Sequence, residues 1–292
     1  MTDTEQAGVL RYFHVRDAKM ALGSALLKHY AVSRLAGVPW PETVITRDKR
    51  TKPVWRDPKT GATPVAFNVS HQAGIVALVA VANYNTNPSN PADAEAVQVG
   101  VDVVCTSERR DRDHQLVRED GWGRYVDMHA DVFAEREASY LKYQVLSAVP
   151  GLCPPGATQE QVLDGKLRAF YALWAMREAY VKLTGEALLA EWLGQLEFRN
   201  FRPPKPTPAW DVPAHDDEEE GEDAQVIRNI EIRFLGRKLD DINMCLRSMG
   251  PDYMICTAVR TPEDKEAGLG WNLGPYEILA LEDVLSFAES TA

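Results

Sequence analysis

The chain has 292 residues, 45% of them hydrophobic, and a formal net charge of −11, which excludes disorder of the whole chain and argues against nonspecific nucleic-acid binding. The amino-terminal stretch MTDTEQAGVLRYFHVRD has no apolar signal core, and the longest apolar run, IVALVAVA at 75–82, is far too short to span a bilayer, so the chain reads as a soluble, cytoplasmic protein. Its four cysteines, at 105, 153, 245 and 256, are scattered without a CxxC pair, which points to reduced thiols rather than a zinc site or a disulfide framework.

The first sixty residues hold eleven Lys/Arg against six Asp/Glu, although the chain as a whole is acidic. A local basic surface able to meet phosphates is one reading, and an ordinary solvated face is the other. Within that region RDAKMALGSALLKHYAVSRLAG carries Met20, Leu22, Leu26, Leu27 and Tyr30 at helical spacing and stops at Gly37, which predicts an amphipathic helix. VAFNVSH and IVALVAV, joined by QAG, predict a β-hairpin. In NVSHQ, Ser70 and His71 point to opposite sides of a strand, so they cannot work as a nucleophile and its base. His71 is the better candidate for a phosphate donor at a strand end.

The polar stretch NYNTNPSNPADAEA at 83–96 divides the chain into halves, 1–96 and 97–292. Beyond it AVQVGVDVVC alternates, with Val97, Val99, Val101 and Val103 on one side and Gln98, Gly100, Asp102 and Val104 on the other. Asp102 is thus displayed from a strand, either as an edge acid facing water or as a functional group, and Gly100 leaves room for something to approach on the same face. DVFAEREASYLKYQVLSA predicts a helix with Asp131 as N-cap, and GKLRAFYALWAMREAYVKLTG a second helix closed by Gly185. On the latter Trp174, Glu178 and Lys182, spaced by four, share one face. A Glu to Lys pair is the simple reading, but a carboxylate beside Phe170, Trp174 and Val181 is partly buried and needs a charged partner or a metal. RPPKPTPAWDVPAHDDEEEGEDAQ at 202–225 is too rich in proline and acid for regular structure and reads as a mobile, disordered surface insertion centred on 203–224.

Asp102 and Glu178 together offer hard oxygen ligands of the kind Mg²⁺ takes, completed by water and substrate phosphates. Arg16 and Lys19 on the first helix, with Arg47, Lys49, Arg50 and Lys52 in TRDKRTKPVW, would then hold the remaining phosphates of a nucleotide-like substrate.

The ordered set VRDAK, RDKRTKPVW, FNVSHQ, GVDVV, FAERE and WAMREAYVK resembles the Sfp-type 4'-phosphopantetheinyl transferases, especially the broad-specificity enzymes of fungi and animals, from about residue 11 to residue 200. The resemblance implies an α+β fold, a pseudo-dimer of two similar subdomains with coenzyme A and Mg²⁺ in the cleft between them. It implies a monomer that transfers 4'-phosphopantetheine to a serine of apo acyl or peptidyl carrier proteins of fatty acid, polyketide and nonribosomal peptide synthases, releasing adenosine 3',5'-bisphosphate. Carried over by motif, Asp102 and Glu178 are the metal ligands, Glu178 or Glu137 assists serine deprotonation, and Lys182 neutralises the diphosphate. Arg16, Arg47, Lys52, Ser70 and His71 match positions that hold the phosphates of coenzyme A. Three positions depart from the family pattern: Val104 stands in place of a third carboxylate, Arg177 in place of a lysine and Thr51 in place of a glycine. The same ligands would also permit a Mg²⁺-dependent phosphohydrolase or a catalytically silent binding module.

Overall fold

The amino-terminal helical pattern closes as expected. In the computed structural model, which describes residues 1–48, 50–84, 97–186, 190, 192–214 and 224–292, α1 (Asp3–Leu10) is followed by α2 (Val15–Ala36), and Gly37 ends α2 in the left-handed conformation at φ 65°. α1 has no apolar stripe for the sequence to show, and is set instead by a capping box in which Thr2 and Glu5 satisfy each other's amides. Two short strands, β1 (Ile45–Arg47) and β2 (Pro53–Trp55), pair antiparallel. The hairpin follows as β3 (Val65–Gln72) and β4 (Ile75–Ala82), turned through Ala73 and Gly74, both at positive φ.

The second half opens with β5 (Gln98–Cys105) and runs through α3 (Arg110–Asp120), α4 (Trp122–Asp127), α5 (Glu135–Tyr143), α6 (Val145–Ala148) and α7 (Gln159–Thr184). Asp131 is not a cap. α5 begins later, at Ala134, whose amide donates to the Glu137 carboxylate at 2.9 Å. α7 starts earlier than the quoted GKLRAF stretch, at a Thr158–Gln161 capping box, and ends at Gly185 as expected. The strands β6 (Leu196–Arg199), β7 (Val226–Ile227), β8 (Glu231–Phe234), β9 (Arg237–Leu239), β10 (Ile242–Met249) and β11 (Tyr253–Arg260) complete the sheets, and α8 (Lys265–Leu269) and α9 (Leu281–Ser290) follow. β5, β11, β10 and β7 form an antiparallel sheet in that order, and β6, β8 and β9 form another. This is an α+β fold. The boundary stretch at 83–96 lies, from residue 85 on, outside the described residues.

One long helix lies against each main sheet. α7 buries Leu167, Phe170, Leu173, Met176 and Leu183 with Leu246, Met254 and Cys256 from β10 and β11, the largest apolar core of the molecule. Its approach to β5 requires Gly100: a Cβ there would stand 2.1 Å from the Ala179 carbonyl oxygen. The group for which Gly100 leaves room is therefore the backbone of α7.

β5 has β11 on one side only. On its other side three β3 side chains, spaced by two and so on one face, take its backbone amides: Asn68 accepts from Val101 N at 3.1 Å, Ser70 from Val103 N at 3.4 Å and Gln72 from Cys105 N at 3.2 Å. Side chains thus join the two halves where strand pairing would otherwise stop. β5 is buried along its whole length, Asp102 included at 6% exposure, so Asp102 is not an edge acid facing water.

The chain end crosses back. Phe287 of α9 stacks edge-on against Tyr30 of α2 at 4.9 Å, and Trp40 N donates to Thr291 O at 3.0 Å. Residues assigned by sequence to the second half thus close the first. Among the described residues no helix is long and apolar enough to cross a membrane.

The segment expected to be a surface insertion is in part structural. Residues 215–223 lie outside the described residues, but Pro203, Pro204, Thr207 and Ala214 are buried. The buried Arg168 donates to Pro204 O at 2.9 Å, to Pro251 O at 3.0 Å and to Ser248 Oγ at 2.7 Å, and Ala214 N donates to Ser248 O at 3.3 Å. Prolines here remove amides that a buried irregular segment would otherwise have to pair. Replacing residues 203–214 with a Gly/Ser link should therefore destabilise the protein by about 3 kcal/mol or more, read from urea unfolding, because a buried guanidinium loses an acceptor. An unchanged midpoint would mean that the segment only lies on the surface.

Candidate active site

The seam between β3 and β5 opens onto a cleft of about 570 Å³ walled by Ser70, His71 and Gln72, by Asp102, by Arg109, Tyr125 and His129, and by successive turns of α7 carrying Phe170, Trp174, Glu178 and Lys182. The i,i+4 spacing expected to align Trp174, Glu178 and Lys182 does place all three on the cleft wall. Lys182 Nζ donates to Asp102 Oδ1 at 2.6 Å and to Ser70 Oγ at 2.9 Å, and Ser70 Oγ donates to the same Asp102 oxygen at 2.8 Å. Burial pushes the Asp102 carboxyl up, and Lys182 and Ser70 oppose it.

Glu178, one turn back, has no hydrogen-bond partner among the described residues. Burial in the first place, and then the neighbouring Asp102 charge, push its carboxyl up to about 6. Two neighbouring buried carboxyls, one of them uncommitted and raised by the charge of the other, are a donor set that suits a hard divalent cation. Among the described residues no group of three or more His, Cys, Asp or Glu could hold a metal, so such a cation would take most of its oxygens from outside the protein. Val104, buried in the core, adds none.

Ser70 matched a phosphate-holding position by motif, but the structure uses it differently. At 7% exposure its hydroxyl donates to Asp102 and accepts from Lys182 and from Val103 N, so its hydrogen-bonding capacity is spent. It positions Asp102 and Lys182. His71, next along the strand, stays open on the cleft wall. Its Nδ1 lies 3.2 Å from Ser24 Oγ, and a hydroxyl donated there leaves the ring proton on Nε2. Partial burial first, then Lys182, lowers its pKa and keeps the ring neutral.

Glu137 is not in the cleft. It is 2% exposed, its Oε2 bonds Arg177 Nη2 and Ala134 N, and its Oε1 takes Phe198 N at 2.7 Å. Arg177 also donates to Leu193 O at 2.7 Å and Leu196 O at 3.0 Å, and lies over the rings of Phe133 and Phe198. This buried pair ties α5 and β6 to α7, and the planar fork of arginine reaches three acceptors where a lysine ammonium would not. Both carboxylate oxygens are engaged away from the cleft, so Glu137 is corrected from a candidate base to a structural anchor.

The basic cluster is divided. Arg16, 80% exposed and 3.5 Å from Asp17, lines a neighbouring apolar groove that shares His71 and Gln72 with the cleft. Lys52 Nζ donates to Leu183 O at 2.7 Å and Arg50 to Thr184 O at 3.1 Å, at the carboxyl end of α7, while Arg47 donates to Thr51 O at 2.6 Å. Cations at this helix end complement its dipole. Lys28 escaped the sequence reading because it sits in the leucine-rich LLKHY stretch. It follows Ser24 by one turn, and its half-buried ammonium is lowered by burial and by Arg47, against the pull of Glu5. Arg109, Tyr125 and His129 were missed as well: Arg109 lies in the charge run ERRDRD, and no motif marks the two aromatic residues.

Residues 1–83 match a family model described as 4'-phosphopantetheinyl transferase, N-terminal, and residues 98–226 one described as 4'-phosphopantetheinyl transferase superfamily. The whole chain is 44% identical over 292 residues to 4'-phosphopantetheinyl transferase 1 of Fusarium mangiferae, covering 86% of that protein. The chain belongs to the 4'-phosphopantetheinyl transferase family. It is also 34% identical over 321 residues to 4'-phosphopantetheinyl transferase of Aureobasidium melanogenum, with 99% of this chain and 89% of that one covered. A third relative is 4'-phosphopantetheinyl transferase A of Aspergillus fumigatus, 33% identical over 291 residues, with 91% and 77% covered. As a transferase of this family the chain is an enzyme, and the resemblance read from its sequence implied glycine where Thr51 stands.

The structure accounts for that glycine. Thr51 has φ 66°, in the tight loop where Asp48 Oδ1 accepts from Arg50 N and Lys52 N. The left-handed conformation costs a β-branched residue more than glycine. Thr51→Gly should raise stability by roughly 1 kcal/mol in urea unfolding, whereas a loss would show that the threonine side chain contributes contacts that outweigh its backbone strain. Glu178 yields a pH-dependent test on metal-free protein. Its folded pKa is raised, so its contribution is full below about 4.5 and lost as pH rises through about 6. Glu178→Gln should therefore stabilise the protein at pH 8 by on the order of 1 kcal/mol, allowing for partial exposure, and should have little effect at pH 4. Equal effects at both pH values would contradict the raised pKa.

Proposed function

We propose that the enzyme moves 4'-phosphopantetheine from coenzyme A to a serine of an apo carrier protein with Mg²⁺ as its metal, working as a monomer. The observation that carries the reading is the cleft pairing of an uncommitted Glu178 with an Asp102 held by Ser70 and Lys182. Asp102 and Glu178 would hold the ion, which supplies positive charge at the diphosphate. Glu178, ionised above about pH 6 in the absence of metal, takes the proton from the serine hydroxyl. The serine oxygen bonds to the β-phosphorus as the bridging P–O bond breaks. Adenosine 3',5'-bisphosphate leaves with the electron pair, beside Lys182. The neutral His71 donates from Nε2 to a phosphate oxygen, and Lys28, Arg47, Lys52 and Arg16 supply the surrounding positive field. Phosphoryl transfer of this kind is mainly positioning and charge neutralisation.

Intact-mass spectrometry of an apo carrier incubated with the enzyme, coenzyme A and Mg²⁺ tests the reading. A phosphopantetheine mass gain is expected, with Glu178→Gln lowering its rate by about two orders of magnitude. Cleaved coenzyme A with an unmodified carrier would make the protein a phosphohydrolase, and no change in either would make it a binding module.

A further inference from the structure

The two sheets of the second half end without meeting. β6 is the outer strand of one and β7 the outer strand of the other, and the two strands do not pair. Where they stop, a cavity of about 1040 Å³ opens that shares no lining residue with the transfer cleft. Four arginines stand on its walls: Arg136 from α5, Arg199 from β6, Arg202 just beyond β6 and Arg228 just beyond β7.

The charges around them do not balance. β6 turns Leu196 and Phe198 into the core and leaves Glu197 and Arg199 on its other face. There Glu197 meets two guanidiniums at once, with Arg199 Nη2 at 2.8 Å from Oε2 and Arg136 Nε at 3.3 Å from Oε1. One carboxylate thus stands against two cations, and Arg199 Nε is buried with no hydrogen-bond partner among the described residues. Arg202 is half-buried and has neither a hydrogen bond nor an ion pair among the described residues. The other acids nearby do not offset this. Glu137 is spent on Arg177, Glu231 opposite Arg199 is held by Arg233 at 2.5 Å, and Glu135 is exposed. Arg228 differs from Arg202 in donating to Asn272 Oδ1 at 2.5 Å.

A surplus of guanidinium in a half-enclosed cavity, on a chain of net charge −11, is a local site for an anion, and the planar fork of arginine fits phosphate oxygens two at a time. Part of the cavity wall is apolar, where Tyr140 and Phe201 lie with ring centroids 5.3 Å apart beside Val149 and Ile227. The volume suits a small molecule, and the acidic surface around it repels an extended polyanion. We infer that this cavity is a second anion site, separate from the transfer cleft, which takes a phosphate monoester of about nucleotide size. Arg202 is its main contact, Arg199 and Arg136 complete the cationic end, and the Tyr140–Phe201 wall receives the organic body.

Calorimetric titration of adenosine 5'-monophosphate, inorganic phosphate and adenosine into the metal-free protein at low salt tests this with wild type, Arg202→Gln, Arg202→Lys and Arg136→Gln. Arg202 pairs with no acid, so its replacement removes a charge without stranding another. Arg202→Gln should weaken the monophosphate about tenfold, as for one charge-assisted contact, with Arg202→Lys between it and wild type and Arg136→Gln shifted the same way. Inorganic phosphate should bind more weakly than the monoester with the same dependence on Arg202, adenosine should bind more weakly still, and high salt should weaken both anions. Anion taken up by the cleft does not depend on Arg202 and would be seen equally in all four proteins. Equal affinities in wild type and the Arg202 variants, no binding of either anion, or adenosine binding as tightly as its monophosphate would overturn the inference. Should Arg202→Gln fail to fold, the exposed Arg136→Gln decides. Carrier loading by Arg202→Gln without added nucleotide should match wild type, and because the titrations need no transfer, failure of the transferase reading would leave them intact.

Discussion

Three side chains stand in for a strand at the seam between the two halves. β5 would be left with an unpaired edge on the side facing the first half. Asn68, Ser70 and Gln72 take three of its amides instead. Strand pairing would bring the backbones within about 5 Å and leave no space between the halves. A side-chain seam holds them farther apart and still satisfies the buried amides. One of the seam residues, Ser70, is also the partner of Asp102 and Lys182, so the contact that joins the halves also orients the charged cluster.

The opposite wall is held by a different constraint. Gly100 lets α7 lie against β5 with essentially no gap, and Glu137 with Arg177 fastens the far side of α7 to α5 and β6. The helix is therefore held on both flanks, and the residues facing the cleft keep their spacing because the helix cannot shift. The cost of burying two ion pairs falls on the fold. What the arrangement gains is a fixed distance between an acid that is already paired and one that is not.

Much of this was legible in the sequence, and the reasons differ by residue. The hairpin, α2 and the face of α7 that carries Trp174, Glu178 and Lys182 follow from periodicity, which depends only on local geometry. Asp102 was legible as an acid in a strand, but its burial was not, because β5 lacks a strand neighbour on one side and only the seam explains why it is covered. The hydrogen bonds of Ser70 to Asp102 and Lys182, and of Glu137 to Arg177, were not legible from the motifs. A motif carries residue identity but not the direction in which a hydroxyl or carboxylate spends its hydrogen bonds. Arg109 was invisible because a charge run looks the same whether it faces water or a cleft. The proline-rich stretch at 203–214 looked disordered by composition, yet prolines without amides suit a buried irregular segment.

On the proposed function, Asp102 and Glu178 would hold Mg²⁺ together with the diphosphate of coenzyme A. Having only two protein carboxylates, the site should bind Mg²⁺ weakly by itself and more tightly once phosphate oxygens complete the shell. Calorimetric titration of Mg²⁺ into the enzyme with and without coenzyme A measures this directly. Mg²⁺ should bind clearly tighter to the complex, coenzyme A should be tightened by the same factor when Mg²⁺ is present, and Asp102→Asn should abolish that coupling. Equal Mg²⁺ affinity in the two states would contradict it.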